Sequence, residues 1–480
     1  MIELKNILKG VEIISLEGRN NIIINGISDN SSKVDKGFLF FAVKGYKIDG
    51  HKFIEDAIAK GCIAIICTNR PTRLNENICY IVVENIRESI YQVSSNYYNN
   101  PSKKLKIIAV TGTNGKTSIV YFLYQFFALM GKNVGMISTI ENKVGKKTIS
   151  SNLTTPDPIA LNSLLNQMVE NKCEYCVMEA SSHAIEQVRI SGEDIYMAVF
   201  SNLSHDHLDY HKTFINYIDA KKKLFDNLDS NSFSIINSDD KRSKYLVQNS
   251  KSKMFTYGIN TLSNYKAKII ENDINGLSLE IDNKIVNLQI LGDFNAYNIL
   301  SVYSVAKILN VENEKILKII SQIKTPKGRF EFVKGNNNVL GIVDYAHTPD
   351  ALKNVLKTIN NFKENKKLVT VFGAGGDRDE TKRSEMGRIA DIFSDYVIIT
   401  SDNPRNENED DIISDIEEGV SSSNYKILSN RKQAIIEACL NFNKESIILV
   451  AGKGHEQYQI INGKFIPHDD MKILKEQLKI

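Results

Sequence analysis

Residues 111–118 read Thr-Gly-Thr-Asn-Gly-Lys-Thr-Ser. The apolar run 105–110 precedes them, and the apolar-rich stretch 119–130 is long enough for a helix that stops at Gly131. Strand, Gly-rich turn and helix together point backbone N–H groups and a helix N-terminus at phosphates. In that arrangement Gly112, Thr113, Asn114 and Gly115 form the cradle and Ser118 continues it into the helix. Lys116 reaches the outer phosphates, and the Thr117 hydroxyl holds Mg²⁺. The first glycine of the general P-loop pattern would fall at Val110, so only a shorter form is present. That form narrows the field, and ATP binding is the expected chemistry.

Four further polar clusters follow apolar runs. Glu179-Ala-Ser-Ser-His183 puts a carboxylate on a strand beside the phosphate loop, where it either supports Mg²⁺ or merely ends a strand in solvent. Residues 204–211, Ser-His-Asp-His-Leu-Asp-Tyr-His, hold three of the chain's 8 histidines. With an ATP loop on the same segment, a second Mg²⁺ site is their economical reading. Residues 343–350, Val-Asp-Tyr-Ala-His-Thr-Pro-Asp, open a helix at Pro349. The last cluster joins 373–379 (Gly-Ala-Gly-Gly-Asp-Arg-Asp), Asp402-Asn403-Pro404-Arg405 and 452–456 (Gly-Lys-Gly-His-Glu), which suggests another ligand site rich in Arg and acid.

Holding these clusters calls for alternating strands and helices. At 480 residues the chain exceeds one hydrophobic core and suggests about three domains. Residues 1–100 carry short apolar stretches and Gly turns, then a helical pattern over 88–98, and 99–104 is a polar linker with a proline. Between 101 and 326, strands at 105–110, 174–180, 195–201 and 232–236 alternate with helices at 117–130, 159–171 and 214–227. That alternation predicts a mostly parallel sheet with helices on both faces. Around Asn275-Gly276 the pattern turns to apolar/polar alternation, a hairpin signal. From 327 the strand–helix alternation resumes, with strands at 339–343, 367–372, 396–400 and 446–450 and helices at 349–361 and 384–394. Ligands of open α/β sheets sit at the carboxyl ends of strands, where the polar clusters fall.

The composition, 42% hydrophobic and 24% charged, is that of an ordinary globular protein, and a net charge of +3 argues against a general nucleic-acid or membrane-surface binder. No apolar run reaches the roughly 18–20 residues that cross a bilayer, and the first residues lack a signal-peptide pattern. The six cysteines are dispersed. Cys173-Glu-Tyr-Cys176 has no second pair to complete a zinc site and reads as packing thiols in a reducing cytoplasm.

In order and over essentially the whole chain, these motifs resemble the Mur ligases, in particular the branch that forms the tripeptide on a UDP-linked muramoyl precursor. The resemblance implies a three-domain α/β protein. Residues 1–100 would bind UDP-MurNAc. Residues 101–326 would bind ATP on a P-loop-type, mostly parallel sheet with a small antiparallel subsheet. Residues 327–480 would form a Rossmann-like domain for the amino acid. The implied substrates are UDP-MurNAc-L-Ala-D-Glu, ATP and meso-diaminopimelate, joined through an acyl phosphate in the cytoplasm by a monomer that binds no nucleic acid and enters no membrane.

By the same resemblance, Lys116 and Thr117 hold phosphates and a first Mg²⁺, Glu179 completes that site, and His207 helps place a second. Lys221 matches a lysine carbamylated by CO₂, although spacing alone reads it as a solvated Lys in a run of three. Asn295 matches an adenine contact; Arg329, Asp344 and His347 match further nucleotide contacts. Thr154, Thr155, Ser181, Gln187 and Arg189 match residues that hold the muramoyl peptide, and Ser31, Tyr46, Lys47 and Ile48 occupy the uridine region. Asp402-Asn403-Pro404-Arg405 is the form associated with meso-diaminopimelate. Arg405 offers a planar fork to the distal carboxylate, which lysine lacks. Arg378 would share that carboxylate, with Gly452 and Glu456 at the distal amino end.

Some positions depart from the pattern: Asn30-Ser31-Ser32, Leu153, Ala374 and Ser384. The nearest rival is a lysine-adding relative, expected to lack Arg405. A folylpolyglutamate synthetase would lack the first domain. A non-catalytic nucleotide switch would keep the loop but need not keep Glu179, His207 and Lys221 together.

Overall fold

A strand covered on both faces must be apolar throughout, and Tyr175–Glu179, Met197–Phe200 and Ser446–Ala451, buried along their whole length, come close to that. The computed structural model describes residues 2–45, 48–191, 194–204 and 206–479. Its chain divides into two units. One comprises Met1–Lys116, Phe127–Ile236 and Asp240–Phe255; the other comprises Thr117–Phe126, Asn237–Asp239 and Thr256–Ile480.

The first unit opens with a five-stranded sheet in the order Ile13–Glu17, Cys79–Val83, Ala64–Cys67, Phe38–Ala42, Gly26–Ser28. Its first pair is antiparallel and the rest parallel. Helix Ile86–Tyr97 begins at Asn85, whose side chain accepts from the N–H groups of Arg87 and Glu88. Farther along the helix, Tyr91 donates its hydroxyl proton to Asp194, which Ser102 also meets at 2.9 Å.

The same unit carries the sheet that holds the phosphate loop. Lys106–Thr111 lies between Tyr175–Glu179 and Met197–Phe200, parallel to both. Val134–Ile137 extends one side and Phe233–Asn237 the other. Register fixes the active edge: Glu179 pairs with Val110, and Phe200 with Thr111. Three adjacent strands therefore end level with one another at their carboxyl termini. The hairpin Glu141–Val144/Lys147–Ser150, which the sequence did not signal, adds an antiparallel margin.

In the second unit, Tyr265–Asp273, Gly276–Ile281 and Lys284–Leu288 form the expected antiparallel meander. Asp273 accepts from the N–H groups of Asn275 and Gly276 and fixes its first turn. A second sheet runs Glu331–Lys334, Leu340–Asp344, Ser446–Ala451, Lys367–Phe372, Tyr396–Ile399, Tyr425–Ile427, parallel except at its first strand. Apolar clusters cover both faces of it, one built around Leu352, Leu356 and Met386, the other around Ile435, Ala438 and Leu474. Helices Arg431–Asn441 and Asp470–Leu478 carry the second cluster and were not read from the sequence; Asn430 and Asp469 cap them. All six cysteines are buried free thiols, and burial raises the Cys173 and Cys176 thiols above their ordinary range.

Candidate functional site

The loop after Lys106–Thr111 is tied down by its neighbours. Thr113 and Asn114 donate their N–H groups to the backbone O and the Oδ1 of Asn202, at 2.7 and 3.0 Å. The hydroxyl of Thr113 meets that of Tyr217 at 2.9 Å. Gly112 sits at φ +147°, and a Cβ there would lie 2.0 Å from Ser201 Oγ, so both backbone and space require glycine.

Two ammonium groups share one carbonyl of this loop. Lys116 Nζ donates to Gly112 O at 3.0 Å and to Thr113 O at 2.7 Å, while Lys221 Nζ donates to Gly112 O at 2.8 Å. Lys221 is buried on helix Phe214–Asp226, with Nζ 4.7 Å from the Tyr217 ring centre. Burial first, and Lys116 second, hold its pKa well below the usual lysine range, against the pull of Asp206. The solvated-lysine reading of this position is therefore overturned.

His207 adopts φ +54°, with Asp206 at 3.5 Å and the His183 ring centre at 4.9 Å. Burial, Lys116, His183 and Lys221 depress its pKa, and Asp206 opposes them. His211 is directed elsewhere: it is buried, with Nε2 2.9 Å from Ser182 Oγ. His205 lies outside the described residues.

Glu179 anchors a connected polar network. Its Oε1 accepts from the N–H and hydroxyl of Thr139 at 2.8 and 3.1 Å, and Thr139 reaches Thr154 at 3.0 Å. Thr155 donates to Glu179 O at 2.7 Å and accepts from the Ser181 N–H at 3.2 Å. Arg189 donates to Thr155 O at 3.0 Å and to Gln187 Oε1 at 2.6 Å. Between them Val188 is at φ +54°, a conformation costly for a β-branched residue, and it turns Gln187 and Arg189 toward each other. The five residues assigned to the muramoyl peptide thus lie in one cluster, and Thr139 belongs with them although nothing local marked it.

On the N-terminal sheet, Asn30 Oδ1 accepts from the N–H and hydroxyl of Ser32 at 2.9 and 2.8 Å, so the departure Asn30-Ser31-Ser32 keeps its turn. Burial and then Asp157 raise the carboxyl of Asp29. Ile48 is exposed, and Tyr46 and Lys47 lie outside the described residues.

In the second unit, Asp344 pairs in register with Ala451, so both motifs leave the sheet side by side. Asp344 accepts from the Phe330 N–H at 2.7 Å, and the Arg329 guanidinium stacks 4.6 Å from the Tyr345 ring centre. Burial pushes the Asp344 carboxyl up to about 6, opposed by Arg329 and by the N–H groups of Phe330 and Ala346. His347 is exposed, its Nδ1 2.8 Å from Tyr345 O. Asn295 is inside helix Asp293–Ile308: its amide donates to Leu291 O at 2.8 Å and accepts from Asn298 at 2.9 Å.

The 402–405 loop is built against the 452–456 turn. Gly452, at φ +112°, would place a Cβ 2.6 Å from Asp402 Oδ2. Asn403 donates to Glu456 Oε2 at 2.8 Å. Arg405, at φ +55°, is bracketed by the hairpin Tyr458–Ile461/Lys464–Pro467, with its N–H on Ile460 O at 2.9 Å and its carbonyl accepting from Asn462 at 2.6 Å. Its guanidinium donates to Gly376 O at 2.5 Å, and Arg378 is exposed nearby. Sequence reasoning missed two buried cations here. Lys453 lies between Asn403 and Glu456, and Arg431 is paired with Asp470 while donating to Ala451 O and Ser401 O. A cavity of about 410 Å³ beside Pro404, Glu407 and Asn462 touches the motif at Pro404 but is lined by neither Arg405 nor Glu456.

Residues 23–104, 110–306 and 328–454 match, in turn, the Mur ligase family catalytic domain, the Mur ligase middle domain and the Mur ligase glutamate ligase domain. The chain is 46% identical over 481 residues to the UDP-N-acetylmuramoyl-L-alanyl-D-glutamate–2,6-diaminopimelate ligase of Cytophaga hutchinsonii, covering 99% of each. It is 44% identical to the enzyme of the same name from Bacteroides fragilis, again over 99% of each chain. A solved structure bearing that enzyme name superposes with a TM-score of 0.72 at 30% identity, covering 100% of this chain and 99% of that one. The MurF ligase of Thermotoga maritima in complex with ADP shares the fold, with a TM-score of 0.63 at 18% identity over 94% of this chain and 97% of that one.

Proposed function

Since the chain belongs to the Mur ligase family, we propose that it joins meso-2,6-diaminopimelate to the D-Glu side-chain carboxylate of UDP-MurNAc-L-Ala-D-Glu, forming ADP and phosphate. The observation that carries this reading is the Asp402–Arg405 loop set against Glu456, which offers a cation and an anion to a diamino acid with a distal carboxylate. A lysine-adding enzyme would have no carboxylate for Arg405. We place the reaction in the cytoplasm, with small molecules as partners, and among the described residues no helix is long and apolar enough to cross a membrane. The segments 1–100, 101–326 and 327–480 are taken as the UDP-substrate, ATP and amino-acid domains.

The chemistry follows from charge. The glutamyl carboxylate attacks the γ-phosphorus of ATP, and ADP leaves. The amine then attacks the acyl phosphate, loses a proton, and phosphate departs from the tetrahedral adduct. Negative charge builds at the phosphoryl group, so positioning and cations supply the catalysis. Lys116 swings from the loop carbonyls to the outer phosphates while the N–H groups of residues 112–118 cradle them. Thr117 and Glu179 are oxygen donors suited to Mg²⁺. Mg²⁺ ordinarily keeps phosphate and water ligands beside one or two protein oxygens. Mg²⁺ would neutralise phosphate charge there. His207, with its depressed pKa, stays neutral and able to donate a lone pair. Lys221 is a buried amine held toward its neutral form, the form that adds CO₂ to give a carbamate carboxylate. Arg329, Asp344, His347 and Asn295 serve the nucleotide. Thr154, Thr155, Ser181, Gln187 and Arg189 hold the muramoyl peptide, and Ser31, Tyr46, Lys47 and Ile48 the uridine end. Arg378, Asp402, Asn403, Pro404, Arg405, Gly452 and Glu456 take the amino acid.

The test is phosphate release with Mg-ATP and UDP-MurNAc-L-Ala-D-Glu, adding meso-diaminopimelate or L-lysine in parallel and weighing the product. A diaminopimelate rate far above the lysine rate supports the reading. Turnover with lysine alone refutes the specificity, and none with either refutes the ligase.

A further inference from the structure

Lysine is almost never fully buried without a partner that justifies the desolvation, yet the Lys453 side chain is 0% exposed. Its Nζ donates to Asn403 Oδ1 at 2.8 Å and to Glu456 Oε2 at 2.9 Å. Asn403 Nδ2 donates to the same Oε2 at 2.8 Å, and Asn403 Oδ1 also accepts from the Ile460 N–H at 2.9 Å. The Tyr458 ring centre lies 5.7 Å from the ammonium. The three side chains form a closed triangle between the 402–405 loop and the 453–456 turn, in which the Glu456 N–H bonds Lys453 O at 3.1 Å.

The triangle is lopsided. Both bonds to Glu456 fall on Oε2, and no hydrogen bond reaches Oε1 among the described residues. Glu456 is 18% exposed at the side chain whereas Lys453 is sealed, so a ligand can meet the carboxylate and not the ammonium. Burial alone would raise the Glu456 carboxyl; Lys453, and then the Asn403 bond, bring it below its ordinary value.

We propose that Lys453 is a positioning residue for amino-acid recognition: it clamps Oε2 of Glu456 and turns Oε1 toward the distal ammonium of the incoming diamino acid. This rests on the ligase reading above, in which Glu456 faces that ammonium. Lys453 itself touches no substrate. Without it Glu456 loses both its aim and the charge that stabilises its ionised form, so the loss falls on substrates that carry the distal amino group.

Two amino acids separate this role from a merely structural one: meso-diaminopimelate and 2-aminopimelate, which lacks the distal amino group. With Lys453→Met, kcat/KM for diaminopimelate should fall about tenfold or more, mainly through KM, because Glu456 is then no longer held in the geometry that meets the ammonium. The values for 2-aminopimelate and the KM for ATP should stay within about twofold. The double variant Lys453→Met/Glu456→Gln should be no worse than Glu456→Gln alone, since Lys453 acts through Glu456. Should Lys453→Met not fold, Lys453→Gln, which keeps hydrogen-bond donors without charge, carries the same comparison. Equal losses on both amino acids, or losses that add in the double variant, overturn the proposal. A wild-type protein inactive with both amino acids overturns the ligase reading itself, which the variants cannot mimic.

Discussion

Replacing Arg405 by alanine tests the amino-acid specificity with little disturbance of the fold. The backbone of Arg405 is held on both sides by Ile460 and Asn462, at 2.9 and 2.6 Å, independently of its side chain. One of its five N–H groups is committed to Gly376 O, which leaves a fork for a carboxylate. Charge-assisted hydrogen bonds contribute about 1.5–3 kcal/mol each. Arg405 is only half-buried, so the lower end applies and two such bonds give about 3 kcal/mol. That corresponds to roughly a hundredfold in kcat/KM. Arg405→Lys, which keeps the charge but offers a single point contact, should lose about tenfold. The assay is phosphate release against diaminopimelate and L-lysine, with melting temperature as the folding control. For Arg405→Ala the diaminopimelate rate should drop by about a hundredfold and the lysine rate by less than about threefold. A matching drop for lysine would show that Arg405 only shapes the loop. A loss under about fivefold for diaminopimelate would show that it does not hold the carboxylate.

Asp344 gives a pH dependence with a definite sign. Its folded pKa, about 6, exceeds the reference 3.8, so its contribution is fully present below pH 3.8 and is lost as pH rises through about 6. Wild type should lose about 3 kcal/mol relative to Asp344→Asn across that window; parallel stability curves in denaturant titrations would refute the burial argument. Lys221 should take up ¹³C-bicarbonate as a carbamate resonance that Lys221→Arg lacks, with activity down about 10²–10³-fold in that variant; full activity of Lys221→Arg would remove the carbamate from the mechanism. Asp470→Asn takes from the fully buried Arg431 guanidinium its near carboxylate and leaves only Asp402 at 4.0 Å, at a cost of about 3 kcal/mol. Because Arg431 also holds Ser401 O and Ala451 O, the KM for diaminopimelate should rise alongside the fall in melting temperature, and an unchanged melting profile would contradict this.

Much was legible wherever the signal is local. Strands and helices that carry their own apolar period emerged at nearly the expected bounds, as with Lys367–Phe372, Pro349–Phe362 and Phe214–Asp226. Elements that depend on tertiary cover did not. Helix Arg431–Asn441 carries its apolar residues among polar ones, and its Asn430 cap is a signal that was passed over. Lys453 was in view inside Gly-Lys-Gly-His-Glu, but lysine is so seldom buried that only its surroundings single it out.

By itself the sequence determined the phosphate loop, because Gly112, Gly115, Lys116 and Thr117 act through backbone freedom and spacing that need only a strand before and a helix after them. It determined the alternating α/β plan for the same reason: periodicity records which faces are covered. Only the tertiary structure decided that Glu179 stands level with Val110, that Lys116 and Lys221 meet on one carbonyl, and that the buried Lys453 donates to Glu456. Each of these depends on strand order, register or the depth of a charge below the surface, which are properties of groups distant along the chain and which no local pattern of residues encodes.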